Sequence, residues 1–375
     1  MSDSSARSQA AFQGLLDVLR TASETYLRPM ETEIDRVEGL RYLLHLAGAG
    51  IDLYLDGDPE RPSFTPMTSP SRKFGGDNPD ALYHFAPIRG DRSYRVTGRK
   101  GRECYLSFTV HGRPDKSRLG MTAEPVQADV NDRHLKFDAE GRFELTLSAK
   151  EQPGNWVKLE PTAASVITRH YYELEKPVVG DPEVRPELKI ECLDPVPPRP
   201  ASSDEQISRR IADVAAFVRG ASLELVPMGA MPVPFVSKVP NELPQPAPFK
   251  ASGSASWGAM DIYYSMAPFV VRPDEALVME GTVPDCAFAN VMLWNRHMQT
   301  LEFRDRRVSL NRKQMKLGAD GSYRIVVAHR DPGVPNWLDP EGHFMGLIFW
   351  RFLLPTAQPA KPACKVVKLA DLARK

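Results

Sequence analysis

Acidic, amide and imidazole side chains stand close together in the stretch GGDNPDALYH, residues 75–84. Asp77, Asn78 and His84 could bind a cation or a polyol, or carry out general acid–base chemistry. A turn requires the same residue types, because Asx side chains cap Gly–Pro loops. Asp80 recurs in the second half of the chain, which favours a structural role for it. Asp77, Asn78 and His84 do not recur, and we therefore select them as candidate substrate-binding residues.

A second polar group lies in the C-terminal third of the chain and has six members: Asn295, Arg296, His329, Asp331, Trp337 and His343. We predict that His329, Asp331 and His343 act as catalytic acid and base. The other three would bind the substrate, with Trp337 against its apolar part. A structural interpretation stays open, because lone histidines are commonly satisfied surface or core residues and the Asn-Trp pair has a twin at 155–156.

Other kinds of chemistry have little support in the sequence. His329, Asp331 and His343 are a conceivable two-His-plus-carboxylate set, but HExxH, HxH and cupin spacings are absent. His111 and His134 have no partners at ligand spacing. No GxSxG elbow is present, and no cysteine stands in an activated context. We therefore predict no metal and no cofactor.

The elements that must position these residues are repeated along the chain. Four residues recur at a constant offset of 181, since Asp80, Tyr83, Ala86 and Pro87 return as Asp261, Tyr264, Ala267 and Pro268. Further anchors match Gly98 with Gly281, Cys104 with Cys286, and Asn155-Trp156 with Asn336-Trp337. The offset drifts only between 180 and 183, as small loop insertions would cause. The pattern indicates a duplicated module of roughly 100 residues.

Each module consists of short runs in which apolar and polar residues alternate, with turn residues between them. Examples are SYRVTG (93–98), ECYLSFTVHG (103–112) and RFELTLS (142–148). Period-two alternation with glycine-rich turns is typical of an antiparallel β-sandwich or jelly roll. The predicted fold is mainly β, with two tandem sandwiches, an N-terminal helical pair and one helix between the modules.

We predict five parts: a helical segment 1–56, a first sandwich 57–177, a connector 178–257, a second sandwich 258–357 and a C-terminal tail 358–375. The connector contains a predicted helix over 203–219, with Ser203 as N-cap. It also contains a proline-rich arm, 227–250, with seven prolines. Apolar residues between those prolines argue against a disordered linker. We expect the arm to be extended and packed, on its own chain or on a partner subunit.

Composition limits the partners of the protein. The chain has 375 residues, and its 48 basic and 48 acidic residues give a formal net charge of zero. Neither nucleic acid nor an anionic membrane is therefore expected as the main partner. No signal peptide and no run of about 20 apolar residues is visible. The four cysteines lack CxxC pairing, and buried free thiols suit a cytoplasmic protein.

Two longer stretches carry a family resemblance. They are FGGDNPDALYHFAPIRGDRSYRVTGRKGRECYLSF and RDPGVPNWLDPEGHFMGLIFWRFLLP. Together with the two Asn-Trp turns they resemble domain-of-unknown-function family 1214, which is often found beside family 1254. The resemblance covers roughly 74–110 and 285–355. It implies a jelly-roll-like β-sandwich in bacterial proteins without an assigned reaction, and it supplies no catalytic residues to transfer.

Two classes of function remain open from the sequence. One is recognition of a small, partly apolar organic molecule, with its conversion by a cofactor-independent lyase, isomerase or hydrolase that uses His and Asp. The other is a non-catalytic binding or assembly module that oligomerises through its proline-rich arm. We expect a homo-oligomer in either case. The sequence specifies neither the ligand nor the reaction.

Overall fold

The computed structural model describes residues 6–121, 123–225, 233–252 and 257–372. Its described helices are α1 (Ala6–Thr25), α2 (Glu33–Gly50), α3 (Asp204–Ser222) and the short α4 (Leu369–Leu372). A π-helical turn, Ile51–Leu55, continues α2, and a 3-10 turn covers Phe249–Ser252. Among the described helices, none is both long and apolar enough to cross a membrane.

Eighteen described strands form four sheets. Those of the first half are β1 (Thr65–Pro66), β2 (Ala81–Pro87), β3 (Tyr94–Arg99), β4 (Tyr105–Gly112), β5 (Val126–Asn131), β6 (Arg142–Ser148), β7 (Asn155–Lys158), β8 (Ala163–Tyr171) and β9 (Glu187–Cys192). Those of the second half are β10 (Ala247–Pro248), β11 (Ile262–Val270), β12 (Glu275–Thr282), β13 (Phe288–Trp294), β14 (Ser309–Asn311), β15 (Ser322–Ala328), β16 (Trp337–Leu338), β17 (Met345–Leu353) and β18 (Ala363–Lys368).

The two halves have the same topology, which confirms the predicted duplication. The first sandwich pairs a sheet of order β1-β2-β8-β4-β5 with one of order β7-β6-β3-β9. The second repeats both orders as β10-β11-β17-β13-β14 and β16-β15-β12-β18. Neighbouring strands are antiparallel except for two equivalent pairs, β6 with β7 and β15 with β16, which are parallel.

Period-two alternation builds each core, as the sequence pattern predicts. In β6, Phe143, Leu145 and Leu147 are buried against the facing sheet, while Arg142 and Glu144 are exposed. Gly141, in the turn before β6, has a φ of +78°, a left-handed conformation that glycine adopts without a steric penalty. The same position before β15 is Gly321, with a φ of +77°.

Three strands lie outside the predicted sandwich boundaries, and one of them, β10 in the predicted connector, pairs with β11 at the edge of a five-stranded sheet. β9 lies in the predicted connector but pairs with β3, and β18 lies in the predicted tail but pairs with β12. Each completes a four-stranded sheet at its edge. The β9 sequence ELKIEC does alternate, with Leu188, Ile190 and Cys192 on the first core, whereas β18 is largely exposed or half-buried and shows no clear apolar alternation.

The described part of the proline-rich arm packs on its own chain. Val236 forms a bridge with Met266 of β11, and Leu243 is fully buried in the second core. Residues 227–232 of the predicted arm lie outside the described residues. The predicted helix is present as α3, and the Ser203 hydroxyl accepts the predicted capping bond from the Gln206 amide at 3.2 Å.

The segment that leads into the first sandwich lies on the second. Within residues 76–80, the Gly76 carbonyl accepts a hydrogen bond from Arg351 Nη2 at 2.7 Å. A Cβ on Gly76 would lie 2.9 Å from the Trp294 ring, so this close approach requires glycine. We call residues 76–80 the first entry segment.

The segment that leads into the second sandwich lies in turn on the first. Residues 257–261, the second entry segment, stand at the repeat offset of 181 from the first. The Trp257 carbonyl accepts a hydrogen bond from Arg169 Nη2 at 2.6 Å, as Gly76 does from Arg351. The two sandwiches therefore exchange entry segments about a pseudo-twofold axis.

Asp80 joins the first entry segment to the second sandwich. Its Oδ2 accepts a hydrogen bond from Asn290 Nδ2 at 2.9 Å, and its Oδ1 accepts one from Asn311 Nδ2 at 3.0 Å. All three residues are fully buried. Burial, only partly opposed by these two hydrogen bonds, raises the Asp80 pKa to about 6.

Asp261 makes the matching contact in the opposite direction. Its Oδ2 accepts from Tyr105 Oη at 2.7 Å and from Asn131 Nδ2 at 2.8 Å. Asn131 and Asn311 occupy equivalent ends of β5 and β14. The aspartate that recurs in both repeats, Asp80 or Asp261, is therefore the residue that binds each half to the other.

Replacing Asp80 tests this interface. We expect Asp80→Ala to lower the free energy of unfolding by about 2–4 kcal/mol, because two buried amide donors lose their acceptor. Denaturant unfolding followed by circular dichroism measures the change. The control is Asp331→Ala, which removes an exposed carboxylate that accepts only the Gly333 amide among the described groups. Equal losses in both variants would contradict the role of Asp80.

Candidate functional site

Three of the predicted site residues meet at α2. Asn295 Nδ2 donates to Glu38 Oε2 at 2.8 Å, and His343 Nε2 lies 2.9 Å from the same oxygen. Arg296 lies 3.4 Å from the Asp35 carboxylate, one turn earlier on the helix. The structure thus brings Asn295, Arg296 and His343 together, but around carboxylates of the N-terminal helical segment.

This α2 cluster is internally satisfied. Burial raises the Glu38 pKa, but the His343 hydrogen bond and charge outweigh it, so the net pKa lies below its usual value. Burial lowers the His343 pKa, but the bond and charge of Glu38 raise it on balance. The other His343 nitrogen, Nδ1, lies 3.0 Å from the Pro340 carbonyl. Both imidazole nitrogens have protein partners, so the cluster attaches α2 to the second sandwich and offers a ligand no unused imidazole nitrogen.

The remaining C-terminal candidates lie apart from His343. His329 Nε2 lies 2.9 Å from the Val271 carbonyl, and Trp337 Nε1 donates to the Ala328 carbonyl at 2.7 Å. Asp331 is exposed in a turn. Among the described residues, no hydrogen bond or ion pair joins His329, Asp331 and His343. The structure does not assemble the predicted catalytic trio, because His329 and Asp331 follow β15, whereas His343 precedes β17 of the other sheet.

Asp77 and Asn78 lie in the first entry segment, in contact with the second sandwich. Asp77 Oδ1 accepts from the Thr300 amide at 2.9 Å, and Asn78 Oδ1 accepts from Asn290 Nδ2 at 2.9 Å. Burial raises the Asp77 pKa in spite of the nearby Lys73 ammonium. These two predicted substrate-binding residues are brought together, as parts of the inter-sandwich contact.

His84 lies inside the first sandwich, in a row of buried polar side chains. Glu103 Oε1 lies 3.3 Å from His170 Nδ1, and His170 Nε2 lies 3.2 Å from Thr168 Oγ1. The His84 and His170 rings are 5.6 Å apart. Burial and the adjacent His170 lower the His84 pKa to about 3, so its imidazole is neutral. At the corresponding positions of the second sandwich stand Ser265, Trp350 and Phe352.

A polar surface that the sequence analysis did not select lies on the opposite face of the same sheet. It consists of six residues, which we call the Trp257 site: Thr109, His111, Glu124, Ser165, Arg169 and Trp257. Strands β4 and β8 supply four of them, the loop before β5 supplies Glu124, and the second entry segment supplies Trp257. His111 and Ser165 are direct cross-strand partners.

Arg169 fixes the geometry of the site. Its Nη1 donates to Thr109 Oγ1 at 2.5 Å, and Thr109 donates in turn to Asp129 Oδ1 at 2.5 Å. Its Nη2 donates a hydrogen bond to the Trp257 carbonyl. The guanidinium is only 2% exposed, and the Asp129 carboxylate beyond Thr109 balances its charge.

His111 presents an imidazole nitrogen without a partner. Its Nδ1 lies 3.2 Å from the Glu124 carbonyl, which can only accept, so the proton is on Nδ1. Burial, together with the Arg169 charge, lowers the His111 pKa to about 3. Nε2 therefore carries a lone pair, and it has no hydrogen-bond partner in the described part of the chain. The same holds for the neighbouring Ser165 Oγ, although both residues are 1% exposed or less.

Glu124 closes the site from the other side. Its Oε2 accepts a hydrogen bond from Trp257 Nε1 at 3.0 Å. Burial, only partly opposed by this bond, raises the Glu124 pKa to about 7. The Trp257 ring also lies 6.1 Å from the Phe217 ring and 6.2 Å from the Phe85 ring. The site therefore joins a neutral imidazole and a carboxyl that titrates near neutrality to an aromatic wall.

The second sandwich retains the arginine, as Arg351, but has apolar residues at three other positions of this surface. Strand register matches Thr109 to Met292, His111 to Trp294 and Ser165 to Leu347. Among the entry segments, Trp257 takes the position of Gly76, so the indole comes from the entry segment in one half and from the sheet in the other. The sequence gives only an ambiguous signal for this difference, because the offset of 183 at Gly98 places His111 opposite Trp294, whereas the offset of 182 at Cys104 places it opposite Leu293.

No group of three or more His, Cys, Asp or Glu suited to a metal ion occurs among the described residues. The Trp257 site supplies hydrogen-bond donors and acceptors and one carboxyl whose pKa lies near 7.

The fold and the site define a class of tandem β-sandwich proteins whose halves exchange entry segments and differ in one polar surface. Within that class, the chain belongs to the family described as Protein of unknown function (DUF1214). The family model matches residues 84–174 and 275–357, one copy in each sandwich. The expected resemblance to this family is confirmed, whereas pairing with family 1254 stays a prediction.

Similar structures extend over nearly the whole chain. An uncharacterized protein from Burkholderia cenocepacia is 32% identical, with 96% of this chain and 97% of that chain covered and a TM-score of 0.84. The VPA0106 protein from Vibrio parahaemolyticus is 13% identical, with 94% of this chain and 100% of that chain covered and a TM-score of 0.49. No curated protein matches the chain.

The raised pKa of Glu124 predicts a pH-dependent stability. The folded protein retains the proton where the unfolded chain has released it, so the contribution of this carboxyl falls as pH rises from 4.5 to about 7. Glu124→Gln keeps an acceptor for Trp257 and removes the titration. We expect the variant to be more stable than wild type at pH 8, by up to roughly 3 kcal/mol, and little changed at pH 4.

Thermal unfolding by calorimetry at the two pH values measures this difference. Glu151→Gln, at an exposed position, is the matched control and should leave both midpoints unchanged. A Glu124→Gln effect of the same size at pH 4 and pH 8 would show that ionisation of the buried carboxyl does not destabilise the folded protein.

Proposed function

We propose that the protein binds a small, partly apolar organic molecule at the Trp257 site. The observation that supports this most directly is the pair of His111 Nε2 and Ser165 Oγ. These two buried polar atoms stand on facing strand positions and lack partners in the described part of the chain. Buried polar groups are nearly always hydrogen-bonded, to protein, to water or to a ligand.

The duplication supports a functional rather than a structural explanation for this pair. Leaving a buried polar atom without a partner costs about 1–3 kcal/mol. The second sandwich avoids that cost with Trp294 and Leu347 at the same positions, so the fold itself does not require His111 or Ser165. Small-molecule sites typically combine an apolar wall with a few convergent polar groups, which is the composition of the Trp257 site.

The same groups are suited to acid–base conversion of the bound molecule. Glu124 titrates close to neutral pH and can accept or release a proton, whereas His111, a weak base with a pKa of about 3, can orient a reacting hydroxyl group by accepting its hydrogen bond. We therefore extend the proposal to a cofactor-independent lyase, isomerase or hydrolase. His111 and Glu124 replace His329, Asp331 and His343 as the catalytic candidates.

Entry of a ligand requires the second entry segment to move, because His111 is completely buried. Two described hydrogen bonds hold Trp257 in place, one from Arg169 to its carbonyl and one from its indole to Glu124. Deprotonation of Glu124 changes the second of these bonds, so ligand access and the charge of this carboxyl are linked in the proposal.

Other parts of the functional hypothesis have weaker support. All four cysteines are free, which suits a cytoplasmic location for this activity. Assembly through the proline-rich arm has no observation in its favour, since residues 233–250 are engaged with their own sandwich. A homo-oligomer stays a prediction.

Native mass spectrometry of the purified full chain tests the binding proposal. We expect a mass excess of a small organic molecule that disappears on denaturation. Ser165→Leu introduces the residue of the second sandwich, fills the site and should abolish the excess. The control is Ser202→Leu, at an exposed loop position, which should retain it. An excess retained by Ser165→Leu would place the ligand elsewhere, and a wild-type protein free of any ligand would count against the proposal.

A further inference from the structure

We propose that the ligand of the Trp257 site is an uncharged planar ring that carries a hydroxyl group, a molecule of the phenol class. This inference rests on the proposed function and specifies its substrate class. It follows from the hydrogen-bond demand, the charge balance and the walls of the site.

The hydrogen-bond demand selects a hydroxyl group. His111 Nε2 can only accept, since its proton is on Nδ1, so the ligand must donate to it. Ser165 Oγ lies on the facing strand position, where side chains are about 5 Å apart at Cβ. One hydroxyl group can reach both, donating to His111 and accepting from Ser165. A carbonyl or ether oxygen would leave the imidazole without a partner.

The charge balance selects a neutral ligand. Two nitrogens of the Arg169 guanidinium already donate, Nη1 to Thr109 and Nη2 to the Trp257 carbonyl, and Thr109 links Arg169 to the Asp129 carboxyl. Charged His111 would stand next to Arg169, and burial disfavours that state. An anionic ligand would therefore have to compete with these partners for Arg169 and would lose its own hydration, which is costly in a buried site.

The walls select a flat ring. The indole of Trp257 borders the site and is in ring contact with three side chains, with centroids 6.4 Å from His111, 6.2 Å from Phe85 and 6.1 Å from Phe217. Aromatic side chains pack favourably against planar rings in offset or edge-to-face arrangements. The Tyr54 hydroxyl, which also lacks a partner among the described residues, adds a second polar point beside Phe85 and Phe217.

Three probes of equal ring size separate these requirements. Phenol carries the ring and the hydroxyl group, toluene has the ring without a donor, and benzoate has the ring with a negative charge. We expect isothermal titration calorimetry on the full chain to show phenol binding about tenfold or more tightly than toluene. Benzoate should give no measurable binding.

Two variants assign the selectivity to its residues. His111→Phe should lower phenol affinity to that of toluene and leave toluene unchanged, and Ser165→Ala should have a smaller effect in the same direction. Circular dichroism verifies that each variant is folded, and His111→Gln, which retains an acceptor oxygen, should restore part of the preference. A preference for phenol that persists in both His111→Phe and Ser165→Ala would overturn the assignment.

The outcomes also separate this inference from the proposed function. If phenol and toluene bind equally, and Ser165→Leu abolishes both, the site binds small molecules but the hydroxyl requirement is wrong. Tight binding of benzoate would overturn the neutral-ligand argument in the same way. If none of the probes binds and native mass spectrometry finds no ligand, the proposed function fails and this inference fails with it.

Discussion

The two carboxylates that cross between the sandwiches, buried Asp80 and half-buried Asp261, make the interaction on which the rest of the structure depends. Asp80 accepts two amide donors from the second sandwich, and Asp261 accepts a phenol and an amide donor from the first. Each carboxylate fixes the end of an entry segment at the point where a strand begins. Because the contacts are reciprocal, the relative position of the sandwiches determines which side chains cover each five-stranded sheet. The Trp257 site is a consequence of that arrangement.

The two five-stranded sheets pack against their entry segments with the tryptophan on opposite sides of the contact. On the second sandwich, Trp294 of the sheet packs against Gly76 of the entry segment, and Trp294 Nε1 and Arg351 donate hydrogen bonds to backbone carbonyls of that segment. On the first sandwich, the indole belongs to Trp257 of the entry segment, and the sheet has His111 and other polar side chains at the positions beneath it. Exchanging the position of one indole therefore allows one copy to have polar groups in a buried contact without changing strand order or register.

Much of the architecture could be predicted because repetition and alternation are local properties of the sequence. The fixed offset predicted the duplicated module, and Ser203 predicted the start of α3. Strand β18 was missed because its edge position buries few side chains, and β9 was missed, in spite of its alternation, because its partner β3 is distant in the chain. The Trp257 site was missed because no sequence neighbour of His111 marks it, and the contacts of His111 depend on Trp257, which is also distant in the chain. The copy-specific histidines near the C-terminus suggested a catalytic group, but His343 attaches α2 and His329 makes a hydrogen bond to the backbone of its own sandwich.

The exchange of entry segments also bears on what one half of this chain could be by itself. A polypeptide with a single sandwich would leave its five-stranded sheet exposed and its entry segment without a sheet to pack on. Two such chains could satisfy both requirements by pairing and exchanging entry segments. That dimer would be strictly symmetric, so its two covered surfaces would have to be identical. Joining both halves in one chain removes this restriction, since one half can then have glycine and the other tryptophan at equivalent positions of their entry segments. The asymmetry that produces one polar surface is available only to the covalently linked form.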